Sequence, residues 1–127
     1  MVIRLSKVCV KKGGAFVCRA LPHSPNSRMH WAEKARWTKA WKEQVGWRCI
    51  ETNAHANRSH TEIPARVTVV LYTCRPQDYD NSVASVKAIV DGLKGVVIAD
   101  DSPEHIQLSV QTIKVNKKYD ERVEIEL

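Results

Sequence analysis

The stretch that decides the fold is RPQDYDNSVASVKAIVDGLKGVVIADDSPEHI, residues 75–106. Within it, apolar residues recur at the three- and four-residue steps of a helix: Val83, Val86, Val90 and Leu93. Asp80 and Asn81 have short polar side chains suited to cap a first turn, and Gly95 is typical of a helix end. The stretch therefore predicts one helix from Asp80 to about Gly95.

The sequence before this helix is typical of a buried strand, because Ala65 to Cys74 is rich in β-branched residues. After the helix, Val96 to Ile98 is apolar and is expected to return to the core. At about 100° per residue, four helix positions form a line away from the apolar stripe: Asp80, Ala84, Lys87 and Asp91. We therefore expect the helix to bury one face and to present carboxylate and amine groups on another.

Acidic residues are concentrated in this stretch of an otherwise basic chain. It contains five aspartates: Asp78, Asp80, Asp91, Asp100 and Asp101. They come from a strand exit, a helix and a turn, and these three segments could meet at one point. Carboxylate oxygens are preferred ligands of Mg²⁺. The alternative interpretation is structural: the first two aspartates cap a turn and the helix, and the last two belong to a solvated turn.

The order of these motifs resembles the RusA-like family of Holliday-junction resolvases, which are common in phages and prophages. The similarity includes D-x-D-N at residues 78–81, a helical lysine four residues before an aspartate, D-G-L at 91–93 and G-V-V-x-A-D-D-S at 95–102. Upstream, LPHSPNSRMHW at residues 21–31 is similar to the family's P-P-S-x-N loop. The resemblance covers roughly residues 16–127.

The resemblance implies roles for individual side chains. Asp78, Asp80 and Asp101 would hold Mg²⁺, or Mn²⁺ in its place, and Lys87 would be the catalytic lysine. The chain departs from the family at one point. The family lysine follows the second aspartate by four residues, where this chain has Ala84, and Lys87 comes three residues later.

Two further aspartates would support that site without binding the metal directly. Asp91 lies one helical turn after Lys87 and is expected to hold the amine in place. Asp100 is a weaker candidate for metal binding than its neighbour Asp101.

Composition indicates one domain, residues 1–127, with a polyanionic partner. The formal net charge is +6, from 20 basic and 14 acidic residues. Because five of the acidic residues lie in the aspartate-rich stretch, the remaining surface is more basic than this total suggests. The alternative is a basic protein that binds no polyanion.

The cysteines and the absence of apolar runs predict a cytoplasmic protein. The first residues carry no signal-peptide pattern, and no segment has the apolar length of a membrane span. The four cysteines are therefore expected to be reduced thiols: Cys9, Cys18, Cys49 and Cys74. A disulfide between Cys9 and Cys18 across a hairpin is the less favoured alternative.

The N-terminal half predicts a hairpin, a loop and a long helix. Val2 to Val10 alternates as one strand and Ala15 to Leu21 returns, forming a hairpin at the sheet edge. A helix is expected from Trp31 to about Thr52 with one apolar stripe: Trp31, Ala35, Thr38, Trp41 and Val45. Trp37 and Trp47 fall off this stripe. The polar segment from Asn53 to Ile63 is expected to be a mobile loop.

Basic and polar groups near this helix are the candidate DNA contacts: Asn26, Arg28, Arg36, Lys39 and Lys42. The two loop residues among them are equally compatible with a plain turn into the helix. The tryptophans could stack on exposed bases, but core or subunit packing is the favoured interpretation.

The C-terminal part predicts two strands, His105 to Lys117 and Arg122 to Leu127, paired as a hairpin. Together the segments predict an α+β fold: a mixed sheet of four to five strands with two main helices.

The function expected from the resemblance is Mg²⁺-dependent resolution of four-way DNA junctions by a homodimer, in recombination, repair or phage DNA processing. Two cuts at a symmetric junction need two sites at a fixed separation, which a two-fold dimer supplies. The alternatives are a phage protein that binds junctions or single strands without cutting them, and a metal nuclease that prefers flaps or forks.

Overall fold

A computed structural model describes residues 1–52, 65–98, 102 and 104–127. In chain order the elements are β1 Val2–Arg4, β2 Val8–Lys12, β3 Ala15–Arg19, α1 Trp31–Glu51, β4 Ala65–Thr73, α2 Tyr79–Ser85, α3 Lys87–Leu93, β5 Ile106–Lys114, a 3₁₀ turn Lys118–Asp120 and β6 Arg122–Glu126. The predicted α+β class is confirmed. The expected loop from Asn53 to Ile63 lies outside the described residues.

The main sheet has four strands in the order β1-β6-β4-β5, with β4 and β5 parallel. β6 is antiparallel to β4 and β1, so the predicted hairpin between the last two strands is wrong. The chain leaving β5 crosses the end of β4, where Thr73 O accepts a hydrogen bond from Val115 N at 3.0 Å. It then returns on the other side of β4, which buries Val123 and Ile125 completely.

The N-terminal residues belong to two sheets, which corrects the prediction of one strand from Val2 to Val10. β1 joins the main sheet, whereas β2 and β3 form a separate two-stranded sheet. Leu5 ends the first segment, because its N–H donates to Val123 O at 3.0 Å. The hairpin turn uses Gly13 and Gly14 at positive φ, as a tight two-residue turn requires.

The two cysteines of this hairpin are joined by a disulfide, which overturns the expectation of four free thiols. Cys9 and Cys18 are direct partners in the β2–β3 register, and their sulfur atoms are bonded. Strand pairing brings the side chains together, so the bond follows from the hairpin itself. Cys49 and Cys74 are free.

Helix α1 has the predicted limits but a different buried face. Its buried side chains recur every four residues: Trp37, Trp41, Val45 and Cys49. Trp31, expected on the buried stripe, is 76% exposed, and the expectation that Trp37 lies off it is wrong. The observed stripe is the face that packs against α3 and β2.

The predicted single helix after β4 is two short helices of seven residues each, α2 and α3. They are separated at Val86 (φ −91°, ψ 2°), and the N-cap is Asp78 rather than Asp80 or Asn81. At the break, the Ser85 hydroxyl donates to Ser82 O at 2.8 Å and so competes with the helical ladder. We call Tyr79–Leu93 the α2–α3 segment.

The α2–α3 segment is tied to the rest of the molecule on two sides. Ser82 Oγ lies 3.3 Å from Thr112 Oγ1 on β5. On the other side α3 packs against α1 so closely that a Cβ built on Gly92 would lie 2.8 Å from Val45 Cβ. The predicted return of Val97 and Ile98 to the core is confirmed, since both are fully buried. No helix among the described residues combines the length and apolar character needed to cross a membrane.

Candidate metal and nucleic-acid site

Asp78 and Asp80 lie where the chain leaves β4 and enters α2. Asp78 Oδ1 accepts a hydrogen bond from the Asn81 backbone N–H at 2.8 Å, and its Oδ2 accepts one from Asn81 Nδ2 at 3.3 Å. Asp80 lies in the first turn of the helix, and both aspartates are exposed. Each carboxylate oxygen has lone pairs beyond those used here, so both groups can still bind a cation from solvent.

Three of the four positions predicted on one line share a cavity. Ala84, Lys87 and Asp91 line a cavity of about 330 Å³ that is bounded by α1, the α2–α3 segment and residues 22–25. Asp80 is not among the described residues that line it. The helix break at Val86 lies between Asp80 and Lys87 and interrupts the predicted line.

The carboxylate of Asp91 is paired with α1 rather than with Lys87. Lys42 Nζ lies 3.9 Å from Asp91 Oδ2. The close packing of α3 on α1 brings the two groups together, because Lys42 O is 2.9 Å from the position of a Cβ on Gly92. The expected partnership of Lys87 and Asp91 is therefore not formed. Lys87 is exposed, and among the residues described it forms no ion pair.

The loop before α1 is held by short-range hydrogen bonds. Ser24 Oγ accepts from Asn26 N at 3.2 Å, and Ser24 O accepts from Ser27 N at 3.0 Å. His30 caps α1 through its Nδ1, which accepts from Ala32 N at 3.2 Å. Asn26 and Arg28 are exposed, so both predicted DNA contacts of the loop are accessible.

The predicted basic contacts on α1 are also at the surface. Arg36, Lys39 and Lys42 are exposed, and Lys39 Nζ lies 4.0 Å from Glu43 Oε1. Exposed pairs of this kind contribute little and leave the charge available to phosphates. Trp37 and Trp41 are buried, which agrees with the packing interpretation, whereas Trp31 and Trp47 are exposed.

A second cavity, of about 420 Å³, was not foreseen from the sequence. Its charged and polar lining includes Arg19, Ser24, Thr73, Arg75, Gln77, Ser82, Ser85, Thr112, Lys118 and Glu121. Glu121 Oε2 accepts from Cys74 N at 2.9 Å and from Thr73 Oγ1 at 3.2 Å. Burial lowers the pKa of Arg19, and the opposing effect of Glu121 is smaller. The unpredicted crossing of β6 brings Glu121 to this position, so no local signal marks it.

The two cavities are neighbours. Pro22, Ser24 and Ser85 line both of them, so the loop and the end of α2 form the wall between them. Asp78 and Asp80 precede that wall on α2. The exposed carboxylates, the basic cavity and the cavity containing Lys87 therefore follow one another along the α2–α3 segment and its N-cap.

Asp100 and Asp101, the remaining predicted acidic residues, lie outside the described residues. Ser102 lies beside the start of β5, because its carbonyl accepts from Ile106 N at 3.0 Å. Ile106 pairs in register with Ala65, the first residue of β4, whereas Asp78 follows the last residue of that strand. Among the described parts of the chain, no group of three or more His, Cys, Asp or Glu side chains is placed to hold a metal ion.

Comparison with known proteins adds no relative to this description. A scan against protein-family models and searches of curated proteins and of solved structures find no match to the chain.

Proposed function

We propose that this protein is a Mg²⁺-dependent endodeoxyribonuclease that cuts branched DNA, with the four-way junction as its substrate. The observation that carries the proposal is the pair of exposed carboxylates at the start of α2, Asp78 and Asp80. Asp80 lies one helical turn before Ala84, which lines the same cavity as Lys87. The order of motifs from D-x-D-N to D-D-S, which resembles the RusA-like resolvases, supports it.

The donor chemistry fits a hard divalent cation. Mg²⁺ is usually held by one or two carboxylates, water and substrate phosphates. Asp78 and Asp80 would supply the carboxylates from one end of the sheet, and Asp101 would supply a third. The bound cation would lower the pKa of water and offset charge on the phosphoryl oxygens.

The remaining steps belong to side chains of the chain itself. Lys87 would donate to a phosphoryl oxygen as negative charge develops there, since its amine has no ion-pair partner among the residues described. Asp91 and Lys42 neutralise each other across the α1–α3 contact, which leaves the Lys87 charge uncompensated. Arg36 and Lys39 would contact flanking phosphates and so add a salt-dependent part of the affinity.

The sheet topology supports a homodimer as the active form. Ser82 contacts Thr112 near the end of β5, whereas Ser102 lies beside Ile106 at its start. Six residue steps of a strand span about 20 Å. We propose that the third carboxylate, Asp101, comes from a second copy of the chain. A two-fold dimer would create two such shared sites.

The test is cleavage of a labelled four-way junction with Mg²⁺ and with EDTA. We expect symmetric nicks with Mg²⁺ only. Asp80→Asn should reduce the cleavage rate by about 100-fold or more, because a metal ligand and its charge are lost. Binding of the uncut junction should be unchanged or tighter. Glu43→Gln, which removes an exposed carboxylate of α1, is the control and should cleave normally; equal cleavage by Asp80→Asn would rule out the assignment.

A junction-binding protein without nuclease activity is the second candidate. It is favoured by the hydrogen bonds of Asp78 to Asn81 and by the pair formed by Asp91 and Lys42, since both aspartates then have structural roles. The same gel separates the two functions. A shifted junction that is never nicked, with or without metal, supports the binding protein.

A further inference from the structure

The cavity that contains Lys87 has an apolar interior and a basic rim. Its apolar lining includes Pro22, Met29, Trp37, Trp41 and Ala88. Trp37 and Trp41 are 5% and 2% exposed, so they are fixed parts of the wall. A volume of about 330 Å³ is at the lower end of the range of about 300–1,000 Å³ that is typical of small-molecule sites. The space suits one small planar group.

Two ring nitrogens of the lining residues lack partners. Trp41 Nε1 and His23 Nδ1 are buried, and the described residues provide no hydrogen bond to either. A buried N–H without an acceptor is unfavourable, and most such groups in folded proteins are satisfied. Both atoms are buried beneath the surface of the cavity, so they do not mark a contact for a ligand inside it, and the choice of ligand depends on the apolar lining and the charges.

The charges around the cavity select a ligand with one anionic part. Lys34 and Lys87 line it and are exposed, and the carboxylate of Asp91 is paired with Lys42. His23 adds no positive charge near neutral pH, because burial, and secondly the charge of Arg19, lowers its pKa. The cavity thus offers an uncharged aromatic interior and two amines at its rim.

We propose that this cavity takes a single unpaired nucleobase, with the phosphate of the same nucleotide held by Lys34 and Lys87. The tryptophan walls offer apolar aromatic surface to a base, and the two lysines at the rim offer positive charge to its phosphate. The inference rests on the proposed function, and it adds that the enzyme withdraws a base beside the phosphate it cuts. Extruding a base costs least where it is already unpaired, which favours branched over regular duplex DNA.

The test measures binding of two bulged duplexes to the full wild-type chain in EDTA, which prevents cleavage. One duplex has a single unpaired 2-aminopurine and the other an abasic nucleotide at the same place. We expect about tenfold tighter binding of the 2-aminopurine duplex, together with a change in its fluorescence. Equal affinities and unchanged fluorescence would overturn the proposal.

A variant whose cavity is filled by a larger side chain is compared with a matched variant whose cavity is left open. Ala88→Leu should abolish the preference for the base, whereas Ala35→Leu, on an exposed part of α1 outside the cavity, should preserve it. If Ala88→Leu does not fold, Thr38→Leu fills the cavity from the α1 side. A base preference that survives in a folded, filled variant would refute the pocket.

The outcomes also separate this inference from the proposed function. If the wild-type chain shows no base preference but cleaves with Mg²⁺, the pocket alone is removed. A base preference without any cleavage keeps the pocket and removes the nuclease.

Discussion

The long helix α1 and the α2–α3 segment are neighbours, but α1 is continuous and the α2–α3 segment is interrupted. α1 runs unbroken for 21 residues from Trp31 to Glu51. The α2–α3 segment is interrupted after seven residues, although its apolar periodicity predicts one helix. Both contain a hydroxyl that bonds to the helix backbone, Thr38 Oγ1 to Lys34 O in α1 and Ser85 Oγ to Ser82 O before the break. What differs among the described residues is the contact of Ser82 Oγ with Thr112 Oγ1 on β5, at 3.3 Å.

The break between α2 and α3 falls where the spacing of Asp80 and Lys87 differs from the family pattern. The three additional residues between Asp80 and Lys87, relative to the family pattern, coincide with the break at Val86. Ala84 and Lys87 still line the same cavity. The break thus leaves both positions on one cavity, so the altered spacing is compatible with the proposed role of Lys87.

The largest expected effect tests whether Asp80 of one copy of the chain works with Asp101 of a second copy. Asp80→Asn and Asp101→Asn chains should each be inactive. Mixed and refolded together, they should recover about a quarter of wild-type nicking, because half the dimers are mixed and each has one intact shared site. The cuts should be single nicks rather than paired ones, measured on a labelled junction.

The control for this mixture uses two changes at the same end. Asp78→Asn mixed with Asp80→Asn should remain inactive, because every shared site then contains a lesion. If the Asp80→Asn and Asp101→Asn mixture is as inactive as its components, the shared site is wrong.

The second effect concerns the helix break. Lys87→Ala should lower junction cleavage by about 100-fold through loss of charge stabilisation, with little change in thermal stability because the side chain is exposed. The double variant Ala84→Lys with Lys87→Ala should regain part of the rate, since both positions line one cavity. A matched double variant with Ala35→Lys should regain nothing; equal rescue by both lysines would argue for general charge alone.

Sequence periodicity located the secondary structure better than it located the contacts. The limits of α1 and the core positions Val86, Val90 and Leu93 were predictable, because burial leaves a direct pattern of apolar residues. The buried face of α1 was not, since Trp31 and Trp37 are equally apolar and only the position of α3 distinguishes them.

The candidate site, too, was only partly predictable from the sequence. The acidic residues and Lys87 can be identified in the sequence by residue type and order. The pairing of Asp91 with Lys42, the position of Glu121 and the cavity beneath His23 depend on how distant elements pack. The strand order also depends on long-range packing. β6 lies between β1 and β4, and the alternating pattern of its own residues does not specify that position.

A pair of glycines compares the two helices directly. Gly92→Ala should lower the free energy of unfolding by about 1–3 kcal/mol, because the new Cβ would lie 2.8 Å from Val45 Cβ and 2.9 Å from Lys42 O. Gly46→Ala in α1 meets no atom within 4 Å and should raise stability by about 0.5–1 kcal/mol. Urea unfolding of both variants measures the difference; equal effects would contradict the close α1–α3 contact.

The smallest expected effect is a pH dependence of the free energy of unfolding, which comes from Cys49 on the buried face of α1. Burial raises the pKa of the Cys49 thiol from 9.0 to about 11. Above pH 9 the unfolded chain loses this proton while the folded protein retains it, so the stability contributed by the neutral thiol falls as pH rises towards 11. At pH 10 the loss should be about 1 kcal/mol. Urea unfolding of the wild type and of Cys49→Ala at pH 8 and pH 10 isolates the contribution of this thiol, because the two chains share all other titrating groups.

The two free cysteines should also differ in reactivity. Cys74, which is only partly buried, should react with a thiol reagent in the folded protein at pH 8, whereas Cys49 should react only on unfolding. Rapid labelling of Cys49 in the native protein would mean that the buried face of α1 becomes accessible without global unfolding. The two helical regions would then differ in how tightly they pack and not only in whether the helix is continuous.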